Sequence, residues 1–377
     1  MNKILKLLSI YIILIILTLN FQACKNDNPV IENPLINSTW KSISCGAHYS
    51  MSIKNDGTLW GRGYNGFGNF GNSAPSFSNI PVMSNSLTNW KQVIAGSFCT
   101  ILIANDGTLW GTGNNTSGQL GIGNYVNQNT PVQIGISNNW SFVTLLHTHT
   151  LAIKNNGTLW AWGMNYSGEL GDSSKEHRTT PVQIGTSTSW LMVAGGNDFS
   201  IGIKTDGTLW GWGNINSKSS SLVPIQIGAD NDWKYIAANI DQSFAIKNNG
   251  TLWAWGGNHF GQLGLGDIEN VDEPTQVGTS SWRSISAGSY HAVGMKSDGT
   301  LWSWGANTFG ELGINTTEQK KIPTLINSST DWSSVYSGDY FSFALKNDNT
   351  LWGWGNNHNG ELGDGTNTNK LIPVNIP

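Results

Sequence analysis

Apolar and polar positions along this chain come in short bursts, and the pattern restarts about every 50 residues. The third cycle shows the layout. Trp140 to Leu146 reads as a short apolar strand and His149 to Lys154 as a second. Thr158 to Gly163, carrying Leu159, Trp160 and Trp162, reads as a third. Asn155-Asn156-Gly157 between them supplies the positive φ of a tight hairpin turn. Asn165 to Gly171 is a glycine-bounded loop. Pro181 to Gly185 is a brief last strand, where proline is tolerated at the start of an edge. Four short strands per cycle, punctuated by glycine, predict β-sheet blades rather than helices.

The cycle repeats seven times. Asp56-Gly57-Thr58-Leu59-Trp60 recurs at Asp106 to Trp110, Asn156 to Trp160, Asp206 to Trp210, Asn249 to Trp253, Asp298 to Trp302 and Asp348 to Trp352, the last copy with Asn349 for glycine. Spacings between these tryptophans are 50, 50, 50, 43, 49 and 50 residues. A second tryptophan opens each unit (Trp40, Trp90, Trp140, Trp190, Trp233, Trp282, Trp332). A third lies two residues past the motif in five units (Trp162, Trp212, Trp255, Trp304, Trp354), with Arg62 and Thr112 in its place in the first two. These sets account for all 19 tryptophans, which makes tryptophan structural in this chain. One such unit cannot bury its own faces, whereas units packed around an axis can. Indoles between neighbouring sheets are expected to fill the widening wedge, each removing roughly 150–250 Å² from water.

The loops Asn115 to Gly121, Asn165 to Gly171, Asn258 to Gly264, Asn307 to Gly313 and Asn357 to Gly363 share the form Asn-x-x-Gly-Gln/Glu-Leu-Gly. With the period and the strand order, they make residues 40 to 377 resemble the RCC1 (regulator of chromosome condensation) repeat family. Unit one has a degenerate loop (Gly68-Asn69-Phe70-Gly71) and unit four has lost it. The resemblance implies an all-β, closed, seven-bladed β-propeller with about four strands per blade. The phase of repeat against blade, and so the mode of ring closure, is open at this stage.

Ahead of the repeats, Lys3 and Lys6 precede the apolar run Leu7 to Leu19, which at 13 residues is too short to span a bilayer. A positive head and a short apolar stretch read as a secretory signal. Asn20-Phe21-Gln22-Ala23-Cys24 resembles the lipobox of bacterial lipoproteins, which implies acylation of Cys24. The expected organisation is a signal over 1–23, a flexible polar tether over 24–38 with Pro29 and Pro34, and the propeller over 39–377. The expected location is the bacterial cell envelope, with the outer membrane, on its periplasmic or surface face, as the anchor.

Charged residues are only 12% of the chain and the formal net charge is -4, so no basic nucleic-acid footprint is present. No zinc-protease helix motif, phosphate-binding glycine loop, nucleophile elbow or Cys-x-x-Cys appears. The motif aspartates read as turn residues, because Asp and Asn interchange there. His147 and His149 would share a face on a strand, but no third metal ligand is near in sequence. Glu169, Glu311 and Glu361 hold equivalent loop positions in different units, and are expected to accept backbone hydrogen bonds locally. Cys45 and Cys99 read as buried thiols or as a pair, and sequence does not decide between them.

The chemistry that varies follows the first strand of each unit. It reads Ala47-His48-Tyr49, Ser97-Phe98-Cys99, His147-Thr148-His149, Asn197-Asp198-Phe199, Ile240-Asp241-Gln242, Ser289-Tyr290-His291 and Asp339-Tyr340-Phe341. Equivalent positions in seven blades lie on one ring. The third residue of each triplet is expected to pack inside, leaving His48, Phe98, His147, Asp198, Asp241, Tyr290, Asp339 and Tyr340 as a candidate contact ring. The expectation is a monomeric, non-enzymatic propeller that needs no cofactor, metal or nucleic acid and binds a protein or glycan partner. The alternative is an inhibitor of an extracellular enzyme, as known among RCC1-like propellers. A glycan-active enzyme in the central channel would need a convergent polar cluster. Nucleotide exchange on a small GTPase, the role of the family's namesake, sits poorly with an export signal.

Overall fold

Each Asp/Asn-Gly-Thr-Leu-Trp motif is a hydrogen-bonded hairpin turn in the computed structural model, which describes residues 40–377 apart from 85, 86, 88, 146 and 216–218. In the first copy Asp56 Oδ1 accepts from both Thr58 N (2.9 Å) and Thr58 Oγ1 (2.6 Å). Thr58 Oγ1 in turn accepts from Trp60 Nε1 (2.8 Å). The same relay recurs in the seventh copy, from Asp348 through Thr350 to Trp352. Asp and Asn interchange because only the side-chain oxygen is used. Gly57 sits at φ +82°, a left-handed conformation that Asn349 adopts at φ +63° in the last copy, and asparagine tolerates that region better than most residues.

Blade one is β1 (Trp40–Cys45), β2 (Tyr49–Lys54), β3 (Leu59–Tyr64) and β4 (Phe77–Met83), paired antiparallel in that order. The other units repeat this plan. A continuous strand, Val271–Ala287, carries the last strand of blade five into the first of blade six. All four strands of a blade come from one sequence unit, so the ring closes by blade packing without a shared strand. First strands face the axis and line a channel of about 270 Å³ through Ser44, Ile94, Thr144, Tyr235 and Tyr336. Fourth strands form the rim.

Seven buried clusters each straddle one blade junction, the closing junction included. There Trp40 and Ile43 pack against Phe341, Phe343 and Leu362. Burial of one indole at such a junction is worth on the order of 4–6 kcal/mol before ordering costs. Polar links complete the junctions. Trp162, Trp212, Trp304 and Trp354 each donate Nε1–H to a loop carbonyl of the preceding blade (Gln119, Glu169, Gln262 and Glu311) at 2.8–2.9 Å. The last glycine of that loop allows the approach: a Cβ on Gly171 would lie 2.8 Å from Trp212 Cδ1. At the closing junction the fully buried Arg62 replaces the indole, lies over the Trp40 and Phe343 rings and bonds Ser52, while Ser50 Oγ donates to Glu361 O (3.0 Å). Burial lowers the Arg62 pKa to about 10.

Three expectations need correction. The last strand of unit three is Arg178–Gln183, so Pro181 sits inside an outermost strand; its missing N–H costs nothing on the unpaired edge. His147 and His149 share no strand, because the first strand ends at Leu145 and the second starts at His149. Not every indole is buried. The motif tryptophans, such as Trp60 and Trp302, are half-buried and covered by lysine. In six blades the lysine ending the second strand stacks over both the opening and the motif indole; Lys296 Nζ lies 3.4 Å from the Trp302 ring centroid. Blade two has Ala104 at that position.

Candidate functional site

First-to-second and third-to-fourth connections leave each blade at the same end, so the variable triplets and the glycine loops together form one loop face. The triplet is a tight turn, closed in blade one by Gly46 N to Tyr49 O (2.9 Å). Its third residue is buried in every blade: Tyr49, Cys99, His149, Phe199, Gln242, His291 and Phe341. Several of these clasp the next blade. Tyr49 OH lies 3.0 Å from Thr100 Oγ1, His149 Nε2 3.0 Å from Ser200 Oγ, and His291 Nε2 2.8 Å from Ser342 Oγ. Burial holds His149 down at about pKa 4 and His291 at about 3, so both are neutral clasps. Cys99 is a buried free thiol pushed up to about 12, and Cys45, also free, lies at the channel, raised by burial.

The candidate ring divides into three sectors. In the first, aromatic rings run across blades five to seven. Phe260 packs on Tyr290 (5.1 Å between centroids), Tyr290 on Tyr340 (6.3 Å), Tyr340 on Phe309 (5.4 Å) and Phe309 on His358 (6.0 Å). Blades one and two continue the theme: His48 and Tyr64 meet Phe98 at 6.1 and 5.9 Å, and Phe67 meets it at 5.2 Å. In the second sector His147 bonds Ser97 and feels the charge of Asp339. Burial pulls its pKa down and Asp339 opposes that pull. In the third, Asp198 and Asp241 line a cleft of about 460 Å³ between blades four and five, with Asp272, Asn214 and Asn270. Burial raises the Asp241 carboxyl above its ordinary range. Cys24 lies outside the described residues.

The first-strand triplets alone miss half of this surface. Tyr64 ends the third strand of blade one, and Phe67, Phe260, Phe309 and His358 come from the glycine loops, whose two residues after the asparagine vary as freely as the triplets do. Glu169 and Glu311 stay local: Glu169 Oε2 accepts from Ser167 N (2.8 Å) and Glu311 Oε2 from Phe309 N (2.7 Å), with burial raising both carboxyls. Among the described residues no group of three His, Cys, Asp or Glu side chains is placed to hold a metal ion. Among the described residues the channel lining contains no carboxylate or histidine.

Seven four-stranded blades, most of them latched to the loop of the preceding blade, define a β-propeller of the RCC1 class. The RCC1-like domain model matches residues 138–377 and the RCC1 repeat model residues 106–153, and the chain belongs to the RCC1-like domain family. No curated protein matches the chain. Among solved structures, that of Prp20p from Saccharomyces cerevisiae, a protein with binding properties to Gsp1p and histones, is similar over 87% of each chain, with 23% identity and a TM-score of 0.77. Human WBSCR16 is similar over 80% of this chain and 85% of its own, with 20% identity and a TM-score of 0.72. Both likenesses speak for the fold.

Proposed function

We propose that this chain is a non-enzymatic binding propeller, held at the bacterial envelope by a lipid on Cys24, which engages a protein partner through its loop face. The observation that carries this reading is the half-exposed aromatic arc Phe260–Tyr290–Tyr340–Phe309–His358, built on rigid turns from three blades. Rigid aromatic rings with a few charges nearby make high-value contacts at little entropic cost. The motif repeats serve structure, and among the described residues the channel lining carries no carboxylate or histidine to act as acid or base. The protein partners named for Prp20p lend the binding role support by analogy of fold alone.

The test places a photo-cross-linking amino acid at Tyr290, at Tyr340 and, as control, at Ile322 on the rim. Discrete protein adducts at the two arc positions and none at the rim are expected. Tyr290→Ala with Tyr340→Ala is expected to abolish capture of the cross-linked partner with little change in Tm. Equal loss of partner and of Tm would assign these rings to packing. Cys24→Ser is expected to move the chain from the membrane fraction to the soluble fraction of the envelope; unchanged fractionation would refute the anchor.

A further inference from the structure

Blade four has no Asn-x-x-Gly-Gln/Glu-Leu-Gly loop, and its absence leaves a groove at the next junction. Two cavities, of about 460 and 340 Å³, share Ile215 and Asp272 as walls and run from the loop face outward between blades four and five. The inner one holds Asp198 and Asp241, and the outer one is walled by Trp233, Trp253 and Trp255.

Trp255 is the telling residue. It is 1% exposed and its Nε1–H has no acceptor. Its four counterparts all donate to a backbone carbonyl of the preceding blade's loop. The opening tryptophans are unpaired at Nε1 in every blade alike; in the third class only Trp255 is, among the described residues. Ser243 also stands, opposite Trp255, where Thr150, Ser200 and Ser342 donate to that same carbonyl. A buried donor left without a partner is destabilising, and an incoming acceptor recovers that loss.

We propose that this groove is a docking slot for an extended peptide segment bearing lysine or arginine. A backbone carbonyl of the peptide accepts from Trp255 Nε1, as the loop carbonyls do elsewhere, and the cationic side chain lies between Asp198 and Asp241. A peptide reproduces the acceptor that the fold uses at four other junctions, and the carboxylates set its charge. The burial that raises the Asp241 carboxyl is offset by a cation beside it. This inference rests on the reading of the chain as a binding propeller but uses residues separate from the aromatic arc.

The test follows the indole N–H signals of the full chain, labelled with ¹⁵N at tryptophan, and assigns Trp255 by the signal missing from Trp255→Phe. Acetyl-Gly-Lys-Gly-Lys-Gly-amide is expected to shift the Trp255 signal saturably. The Asp198→Asn, Asp241→Asn double variant is expected to weaken that binding about tenfold, and the Tyr290→Ala, Tyr340→Ala variant to leave it unchanged. An equal response to the Glu-for-Lys peptide, a response to a neutral oligosaccharide in place of the lysine peptide, or no shift at all would overturn the slot. Loss of peptide binding with arc-dependent partner capture intact would sink the slot alone. Loss of that capture with the slot intact would sink the arc.

Discussion

Blades three and four meet through four kinds of link. Trp212 Nε1 and Ser200 Oγ both donate to Glu169 O, His149 clasps Ser200, and Ser173 N donates to Leu222 O on the rim. Blades four and five share the same packed apolar cluster design, with Ile201, Ile203, Trp233 and Trp255 at the interface. Yet there the loop is gone, Trp255 has no acceptor, and Phe199 stands where His149 would clasp. Apolar burial, with a backbone bond from Asn197 N to Ile240 O (2.9 Å), therefore suffices to seat blade five on blade four without the loop latch. The polar latches add rigidity and selectivity of register, and where they are missing the fold leaves room for something else.

That contrast breaks most visibly in acid. His149 and His291 are held at about 4 and about 3 by burial, against 6.5 when exposed. Their folded pKa values are depressed, so their contribution is complete above about 6.5 and is lost as pH falls towards 4. The ceiling is on the order of 3 kcal/mol for His149 and about 5 kcal/mol for His291. Denaturant melts at pH 7 and pH 4.5 are expected to show this fall, and His149→Phe, which copies the blade-four arrangement, is expected to reduce it. An unchanged pH profile in His149→Phe would contradict the clasp.

A smaller effect separates the indoles. Trp212→Phe and Trp255→Phe remove similar volume, but only the first breaks a hydrogen bond. Chemical denaturation is expected to find Trp212→Phe less stable by about 1 kcal/mol. Equal losses would make the Trp–carbonyl bond incidental.

The smallest concerns the lysine stacks. Lys296→Ala is expected to cost about 0.5–1 kcal/mol, and Ala104→Lys, which installs the missing stack in blade two, to return a similar amount. Thermal melts of the two single variants read this directly; a neutral Lys296→Ala would remove the stacks from the account.

The chain's pattern carried the architecture well for a physical reason. A blade is a local structure, with its turn relay, alternation and glycine loop all within one unit, so seven units repeat the evidence seven times. Junction chemistry was harder to read. The bond from Trp212 to Glu169 O joins residues 43 apart and terminates on a backbone atom, which sequence does not display. The same holds for the groove: a 43-residue spacing marks the lost loop, but not the donor it strands. The triplets display only half of the contact ring, because Phe260, Phe309 and His358 vary within the loops that flank them on the same face. His147 and His149 stand two apart in sequence, but the turn before the second strand separates them, so spacing alone does not put them on one face.

Backbone hydrogen exchange across the ring tests most directly whether the latches, rather than burial, set the strength of each junction. Strands Trp233–Asn239 and Thr251–Gly256 are expected to exchange measurably faster than their equivalents Trp190–Gly195 and Leu209–Asn214. Added lysine peptide should narrow the gap. Equal protection of the two pairs of strands, with no response to the peptide, would contradict the account.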